Sequence, residues 1–174
     1  MKHIELFEKF YQPNQRIKEK IDQIVKQLLK KYHGGRVFFD ALDESIKSVM
    51  NEDLIIQLVK GNSNEWIVTS GEFGRRLYRM WKDGKFKCKG VLVFNGKIAT
   101  FDIGVTNYSP TNFDIKDKEF IYVDDSYFSG KTVNRISEFL TKYGSKIKHV
   151  SVIYDGSKEK KSFVKSFFRY YDNV

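Results

Sequence analysis

The sequence contains one stretch that decides the fold, Phe120-Ile121-Tyr122-Val123-Asp124-Asp125-Ser126-Tyr127-Phe128-Ser129-Gly130-Lys131-Thr132. The mostly apolar run from Glu119 to Val123, which overlaps its start, has the length of a buried β-strand. The residues that follow, Asp124 to Lys131, are mostly polar and contain a glycine, so we expect a loop there. The change from apolar to acidic residues therefore marks the end of a strand and the start of a candidate site.

A helix and a second strand are predicted after this stretch. Four residues share one face of the predicted helix: Val133, Ile136, Leu140 and Tyr143. Gly144 ends this helix, and Val150 to Tyr154 is the next apolar strand. A strand, a loop, a helix and a strand within about 35 residues predict a βαβ unit with two parallel strands.

Upstream of this unit, Trp66 to Thr69 predicts another short buried strand. We expect a glycine-containing loop at Ser70-Gly71-Glu72-Phe73-Gly74-Arg75-Arg76, and an apolar helical turn from Leu77 to Trp81 behind it. The sequence thus places a second strand-to-helix loop before the first one.

A β-hairpin is predicted between these two loops. The dipeptide Asn95-Gly96 separates two extended runs, Val91 to Phe94 and Lys97 to Ile103. Asn-Gly between such runs is the strongest short hairpin signal, because both residues tolerate the positive φ angles of the tight turn.

Helices are predicted at both ends of the chain. Near the N-terminus, one helix starts at the cap residue Asn14 and stops at Gly34, and Ala41 to Lys60 forms one broken helix or two short ones. At the C-terminus, Lys158 to Tyr170 is predicted to be a helix that packs through Phe163, Phe167 and Tyr170. The predicted fold class is α/β, a mainly parallel sheet flanked by helices, with an N-terminal helical flank.

Length and composition favour one compact globular domain over residues 1–174. The chain has 174 residues, of which 41% are hydrophobic and 30% charged, which excludes disordered and fibrous classes. Residues 1–62 are expected to form the helical flank or a hood, and residues 63–174 the core. Because no stretch approaches the roughly 20 apolar residues of a membrane span, we expect a soluble, cytoplasmic protein without a membrane partner.

The charge of the chain indicates an anionic partner. Lys and Arg number 31 against 22 Asp and Glu, a formal net charge of +9. Nucleic acid, an anionic surface and a phosphorylated small molecule all fit this balance. No nucleic-acid-binding motif is present to favour the first of them. The lone Cys88 lies among lysines, which is expected to lower the pKa of its thiol, but it has no evident catalytic partner.

The two strand-to-helix loops are expected to meet at one edge of the sheet. In an open parallel sheet, ligands bind beyond the carboxyl ends of the strands. Ser129 to Thr132 stand at a predicted helix start, where free backbone N–H groups and two hydroxyls suit a phosphate. This predicts an anion site. A nucleotide-binding P-loop also ends in Gly-Lys-Thr, but Asp125 stands where that motif needs its first glycine.

The quoted stretch resembles the phosphoribosyl-diphosphate-binding motif of the type I phosphoribosyltransferases. That pattern has four apolar residues, two acids, a short variable stretch and then Ser/Thr-Gly-x-Thr. The resemblance extends with lower specificity from Trp66 to about Gly156, because the family also has a pyrophosphate loop after an earlier strand, followed by a hairpin. It implies a type I phosphoribosyltransferase-like core in residues 63–174.

The resemblance also implies a role for each candidate residue. Two catalytic acids would take the ribose hydroxyls and bind Mg²⁺: Asp124 and Asp125. Five residues would bind phosphoribosyl diphosphate, and the last four of them would hold its 5-phosphate: Ser126, Ser129, Gly130, Lys131 and Thr132. Five would form the pyrophosphate loop: Ser70, Gly71, Glu72, Arg75 and Arg76. Four would contact the base: Tyr127, Phe128, Tyr154 and Asp155.

The implied activity is the transfer of a phosphoribosyl group to a nucleobase-like acceptor with release of pyrophosphate, and dimers are common in such proteins. Phe128 stands where some purine enzymes have a base-contacting acid, which disfavours an ordinary hypoxanthine or guanine enzyme. Glu72 adds a negative charge to the pyrophosphate loop. The alternatives are a sensor or regulatory protein that keeps the pocket without turnover, and a basic nucleic-acid-binding module.

Overall fold

The computed structural model describes residues 15–32, 36–95, 100–103, 106–108, 115–169 and 171. The chain divides into two compact units, Met1–Gln57 and Leu58–Val174. Among the described residues, no helix is long and apolar enough to cross a membrane.

The first unit is helical, as the sequence predicts. It contains α1 (Gln15–Lys31) and α2 (Arg36–Val49), and α3 (Glu52–Val59) continues across the division. The Asn51 side chain accepts a hydrogen bond from the Leu54 N–H at 2.9 Å, so it caps α3 and separates it from α2. The predicted cap Asn14 and stop Gly34 lie outside the described residues.

The second unit is built on one seven-stranded sheet with the order β4-β3-β2-β1-β5-β6-β7. Its elements are β1 (Trp66–Ser70), α4 (Gly71–Lys82), β2 (Gly90–Asn95), β3 (Thr100–Ile103), β4 (Thr106–Tyr108), β5 (Glu119–Tyr127), α5 (Lys131–Thr141), β6 (Lys146–Asp155) and β7 (Val164–Arg169). Strands β2, β1, β5, β6 and β7 run parallel to one another, and β3 and β4 pair antiparallel at one edge. The predicted fold class, a mainly parallel sheet flanked by helices, is confirmed.

The βαβ unit has the predicted form. Strands β5 and β6 are parallel, with Val123 opposite Ser151. Helix α5 joins them and buries three apolar side chains, Val133, Ile136 and Leu140. These pack in one core cluster with buried residues of β5 and β6, and burial of this apolar surface drives the unit together.

The hairpin is also confirmed, since β2 and β3 pair antiparallel with Asn95 opposite Thr100. Its tip, residues 96–99, lies outside the described residues. Strand β4 pairs with β3 and is not predicted by the sequence; three residues carry too little pattern for that.

The two predicted loops are both shorter than expected. Strand β5 does not end at Val123 but continues to Tyr127, because its backbone goes on pairing with β6 regardless of the polarity of its side chains. Only residues 128–130 remain between β5 and α5. Similarly, α4 begins at Gly71, directly after β1, so the expected loop from Ser70 to Arg76 is a strand end and the first turns of a helix.

The sequence of α4 explains why it starts so early. Phe73, Leu77 and Met80 are buried at helical spacing. Position 74 lies within the helix and is a glycine because a larger side chain there would clash with Thr69. A Cβ at this position would lie 2.9 Å from the Thr69 Cγ2 atom. Close packing between the strand and the helix thus requires a glycine at this position.

The predicted C-terminal helix is wrong. Residues 164–169 form β7, which is parallel to β6. Phe163 and Phe167 are four residues apart, which imitates a helical face, but Phe163 is 42% exposed and the core residue is Phe168. Tyr170 lies outside the described residues. Only residues 156–163 connect the parallel strands β6 and β7. The pairing of β7 with β6 joins residues of two separate elements, so the local sequence pattern does not predict it.

A buried ion pair fixes β7 to β6. The Asp155 Oδ1 atom accepts hydrogen bonds from the Ser157 N–H at 2.9 Å and from its hydroxyl at 2.6 Å. The Oδ2 atom of Asp155 lies 3.5 Å from Arg169 Nε, and the side chains are only 2% and 9% exposed. Arg169 also donates to the carbonyl oxygens of Ser157 and Lys158 at 2.8 and 2.9 Å.

Replacing Arg169 by methionine is expected to destabilise the fold by about 3–5 kcal/mol, because the buried carboxylate of Asp155 then lacks its counter-charge. Urea unfolding followed by circular dichroism measures this change. Lys165→Met at an exposed position of the same strand is the control and should stay within about 0.5 kcal/mol of the original chain. Equal stability of the two variants would contradict a structural role for the pair.

Candidate functional site

The described residues include a cleft at the junction of β5 and α5, with a volume of about 160 Å³. The residues that line it are consecutive or nearly so: Tyr122, Asp124, Ser126, Tyr127, Phe128, Ser129, Gly130, Lys131, Thr132 and Val133. On this measure one water molecule needs about 10–15 Å³, so the cleft has room for a phosphate group and part of a sugar. It is smaller than a site for a whole drug-sized ligand.

The cleft brings together most of the site residues that the sequence predicts between Asp124 and Thr132. Asp124 and Ser126 lie on the strand wall, and Ser129, Gly130, Lys131 and Thr132 form the opposite end. Asp125 is not among the lining residues and is buried, with 8% exposure. Because successive side chains of a strand alternate between its faces, Tyr122, Asp124 and Ser126 share the cleft face and Asp125 does not. The two predicted acids are therefore not equivalent.

The N-terminus of α5 forms the anion-binding end of the cleft. Helix α5 has no side-chain cap, and the Lys131 N–H lies 3.5 Å from the Ser129 hydroxyl, a long contact. Backbone N–H groups of the first turn and the positive end of the helix dipole therefore remain available to a negatively charged group. Lys131 and Thr132 are exposed there.

Gly130 is required at this position for two reasons. Its φ is 78°, the left-handed region that favours glycine. In addition, a Cβ at Gly130 would lie 2.7 Å from the Tyr127 hydroxyl. The Tyr127 phenol thus occupies the space that a side chain at position 130 would need.

Asp124 accepts two hydrogen bonds, and the donor of one of them also contacts a neighbouring strand. Its Oδ2 accepts a hydrogen bond from the Tyr122 hydroxyl at 2.6 Å, and its Oδ1 accepts one from the Asp125 N–H at 2.8 Å. The Tyr122 hydroxyl is in turn 2.9 Å from the hydroxyl of Ser70, the last residue of β1. Sequence reasoning missed Tyr122, and the signal was present: a phenol stands two residues before the acid, on the same face of the strand.

The electrostatics of this group depend on burial. Burial, followed by the negative charge of Asp125, holds the pKa of the Asp124 carboxyl well above its usual range. Burial and the charge of Asp124 likewise raise the pKa of Tyr122, so the phenol remains a hydrogen-bond donor. A cation bound beside Asp124 would favour its charged form again.

The residues predicted for the pyrophosphate loop lie on β1 and α4. Ser70 reaches the site through Tyr122, while Gly71 is the first residue of α4 and Glu72 and Arg75 are exposed. Arg76 is half-buried. None of the five is among the described residues that line the cleft, so the role in holding a diphosphate stays a prediction.

Two of the predicted base contacts have other partners. Tyr154 is fully buried and stacks on Phe168, with ring centroids 5.5 Å apart. The carboxylate of Asp155 is engaged by Ser157 and Arg169. Their contacts do not favour a ligand role. Phe128 does line the cleft, and its ring lies against Gly156, where a Cβ would overlap it.

The predicted magnesium site has a limited donor set. Within the part of the chain that the structure describes, no three His, Cys, Asp or Glu side chains cluster to hold a metal ion. Mg²⁺ commonly binds through one or two carboxylates together with substrate phosphates. The residues therefore fit an ion that arrives with a diphosphate, held on the protein side by Asp124, rather than a resident metal.

The thiol of Cys88 is not activated, contrary to the expectation from its lysine neighbours. Burial raises its pKa to about 11, and a backbone hydrogen bond from Gly90 acts in the other direction. Desolvation of the thiolate is the larger of these two effects.

No family model matches this sequence, and no curated protein matches it either. The solved structures that resemble the chain include adenine phosphoribosyltransferase from Thermoanaerobacter pseudethanolicus, with 12% identity, TM-score 0.43, and coverage of 75% of this chain and 81% of that one. Purine phosphoribosyltransferase from Pyrococcus horikoshii has 17% identity, TM-score 0.40, and coverage of 74% and 82%. Hypoxanthine phosphoribosyltransferase from Staphylococcus aureus has 15% identity, TM-score 0.40, and coverage of 76% and 77%. These values assign neither a substrate nor an activity to this chain.

Gly130→Ala is expected to lower the free energy of unfolding by more than the roughly 1–2 kcal/mol that a left-handed residue costs, because the new methyl group also meets Tyr127. Gly84→Ala is the matched control, since Gly84 has a φ of 76° and open space around its Cβ position. The difference between the two variants, measured by urea unfolding, isolates the contact with Tyr127. It should shrink in the Gly130→Ala/Tyr127→Phe double variant, and a difference of zero would contradict this packing.

Cys88 is expected to react with a disulfide reagent at neutral pH roughly twentyfold more slowly than an ordinary thiol, because a pKa of about 11 leaves little thiolate and the higher nucleophilicity of that thiolate offsets only part of the loss. The rate should rise about tenfold per pH unit until the fold is lost. Cys88 is the only cysteine, so absorbance of the released thiol reports it alone. An ordinary rate in the folded state would show that the lysines prevail, and the unfolded chain serves as the control.

Proposed function

We propose that this chain is a phosphoribosyltransferase-like protein, which binds phosphoribosyl diphosphate and transfers its phosphoribosyl group to a nitrogenous base. The observation that carries the proposal is the cleft itself. A carboxyl group near a strand end, Asp124, and an uncapped helix N-terminus, at Lys131, open into one space with room for a phosphate group and part of a sugar. Hydroxyl groups of a ribose and its monoester phosphate need these two kinds of partner in this order.

The 5-phosphate fits the end of the cleft formed by α5. The first-turn N–H groups and the hydroxyls of Ser129 and Thr132 would donate hydrogen bonds to its oxygens, and Lys131 would add a positive charge. Gly130 lets the backbone come close to the ligand there.

The ribose fits the strand wall. Asp124 would accept hydrogen bonds from the ribose hydroxyls, and Ser126, on the same face two residues on, would extend this contact. Desolvation of the carboxyl makes its hydrogen bonds stronger than they would be in water. The same residue would hold Mg²⁺, which would neutralise the diphosphate when bound.

The chemistry follows from where charge develops. The bond from the anomeric carbon to the diphosphate oxygen breaks and the electron pair leaves with the diphosphate, while the lone pair of a base nitrogen forms the new carbon–nitrogen bond. The nitrogen then loses its proton to solvent. The chain would contribute by holding the 5-phosphate and the ribose still, so that the sugar is positioned for attack, and Arg75 or Arg76 would counter the negative charge of the leaving group.

A second candidate function is binding without transfer, as a sensor or regulatory protein. One observation favours it: β1 passes into α4 without an intervening loop, and the first turn of α4 carries the acidic Glu72. The diphosphate then has a rigid, partly negative surface to approach, and leaving-group neutralisation is weakened.

The two functions separate in one experiment. The purified chain is titrated with phosphoribosyl diphosphate and Mg²⁺ in a calorimeter, and pyrophosphate release is then assayed over a panel of nitrogenous bases. Binding with release from at least one base supports the transferase. Binding without release from any base supports the sensor. Absence of binding overturns both, and strongly salt-dependent affinity for nucleic acid would then favour a basic binding module.

Asp124→Asn is expected to weaken binding of phosphoribosyl diphosphate by about tenfold or more, because the amide loses the charge and half of the acceptor capacity. Because an amide offers one acceptor oxygen to the two hydrogen bonds that Asp124 receives, the thermal midpoint should also fall by a few degrees. Glu138→Gln, an exposed acid on α5, is the control for a lost charge and should bind normally. Asp125→Asn should have a smaller effect than Asp124→Asn, and the reverse order would overturn the assignment of the ribose contact to Asp124.

A further inference from the structure

Ser70 has an unusual partner for its position. It stands at the N-cap of α4, where a serine hydroxyl ordinarily accepts a hydrogen bond from an N–H of the first turn. It makes no such bond here; the hydroxyl lies 2.9 Å from the hydroxyl of Tyr122 instead. The chain therefore forgoes the usual stabilisation of a serine cap at the start of α4.

Tyr122 connects this serine to the acid of the cleft. The Tyr122 side chain is 1% exposed and lies in the core cluster, so only a small part of it lines the cleft. Its hydroxyl donates to Asp124 Oδ2 at 2.6 Å, a short hydrogen bond. Since the phenol gives its one proton to Asp124, the Ser70 hydroxyl is the donor to the phenol oxygen. The result is a directed chain from Ser70 through Tyr122 to Asp124.

We propose that Tyr122 is a positioning residue, which holds the Asp124 carboxyl in the orientation that receives the ribose and ties it to the end of β1. This inference rests on the proposed function. The other hydrogen bond to Asp124 comes from the neighbouring Asp125 N–H, which constrains one oxygen atom only. The phenol binds the second oxygen, so the two bonds together fix the plane of the carboxyl group.

The arrangement also joins the two halves of the proposed site. Strand β1 leads into α4, where the diphosphate would approach, and β5 carries the ribose contact. Because the two strands are paired with Val68 opposite Tyr122, Ser70 lies at the level of Asp124 along the sheet. A displacement of Ser70 by a ligand would therefore be transmitted to Asp124 through two hydrogen bonds.

Tyr122→Phe tests the inference through ligand selectivity. The variant keeps the buried ring and loses the hydroxyl, so ribose 5-phosphate should bind on the order of tenfold more weakly. Inorganic phosphate, which would need only the α5 end, should bind as before. Ser70→Ala should show the same pattern with a smaller loss. Tyr78→Phe, at a buried tyrosine of α4, is the matched control and should leave both affinities unchanged.

A spectroscopic measurement makes the test independent of any ligand. In the unliganded protein, nuclear magnetic resonance couplings across the χ1 angle of Asp124 should show one rotamer, and averaging among rotamers in Tyr122→Phe. Unchanged couplings in the variant would overturn the inference, and so would equal losses of affinity for ribose 5-phosphate and phosphate. In an Asp124→Ala background, Tyr122→Phe should have no further effect on binding.

The outcomes distinguish the inference from the function it rests on. If the original chain binds neither ribose 5-phosphate nor phosphoribosyl diphosphate, the proposed function fails, and with it the role of Tyr122 toward a ribose. If the chain binds ribose 5-phosphate and Tyr122→Phe binds it equally well, only the positioning role fails.

Discussion

The parallel pairing of β5 with β1 on one side and β6 on the other is the constraint on which the rest of the structure depends. It brings the carboxyl ends of three strands to one edge of the sheet, and α5 begins at that edge. The location of the cleft follows from this geometry. Asp124 and the start of α5 are close in the chain, and a strand followed by a short connection leaves them facing one space.

The fold class, the βαβ unit and the hairpin are predictable because they depend on periodicity and turn residues that are local in the sequence. The same holds for Ser129 to Thr132, since a glycine before an amphipathic run marks a helix start. The helix predicted near the C-terminus is wrong because the four-residue spacing of Phe163 and Phe167 is typical of a helix face. In the structure Phe163 lies in the turn before β7 and Phe167 lies in the strand itself. The contacts that favour the strand, its pairing with β6 and the ion pair of Asp155 with Arg169, join residues from two separate elements.

Side-chain roles in the site are less predictable than its location. Two adjacent acids look alike in a sequence, yet a strand that continues through them turns Asp124 to the cleft and buries Asp125. The sequence does not reveal this continuation, because polar residues are compatible with a strand whose backbone is paired. Tyr122 fits the apolar pattern of the strand, and its hydroxyl acquires a partner only when Ser70 arrives from another strand.

The replacement of the expected helix by β7 has a consequence at the border of the sheet. Among the described strands, β7 pairs with β6 alone, so its other side presents backbone groups that would accept a further strand. Lys165 and Arg169 stand on this strand, and Lys165 is exposed. A positive charge on an outermost strand opposes the pairing of one molecule's sheet with another, so Lys165 would disfavour aggregation through this edge.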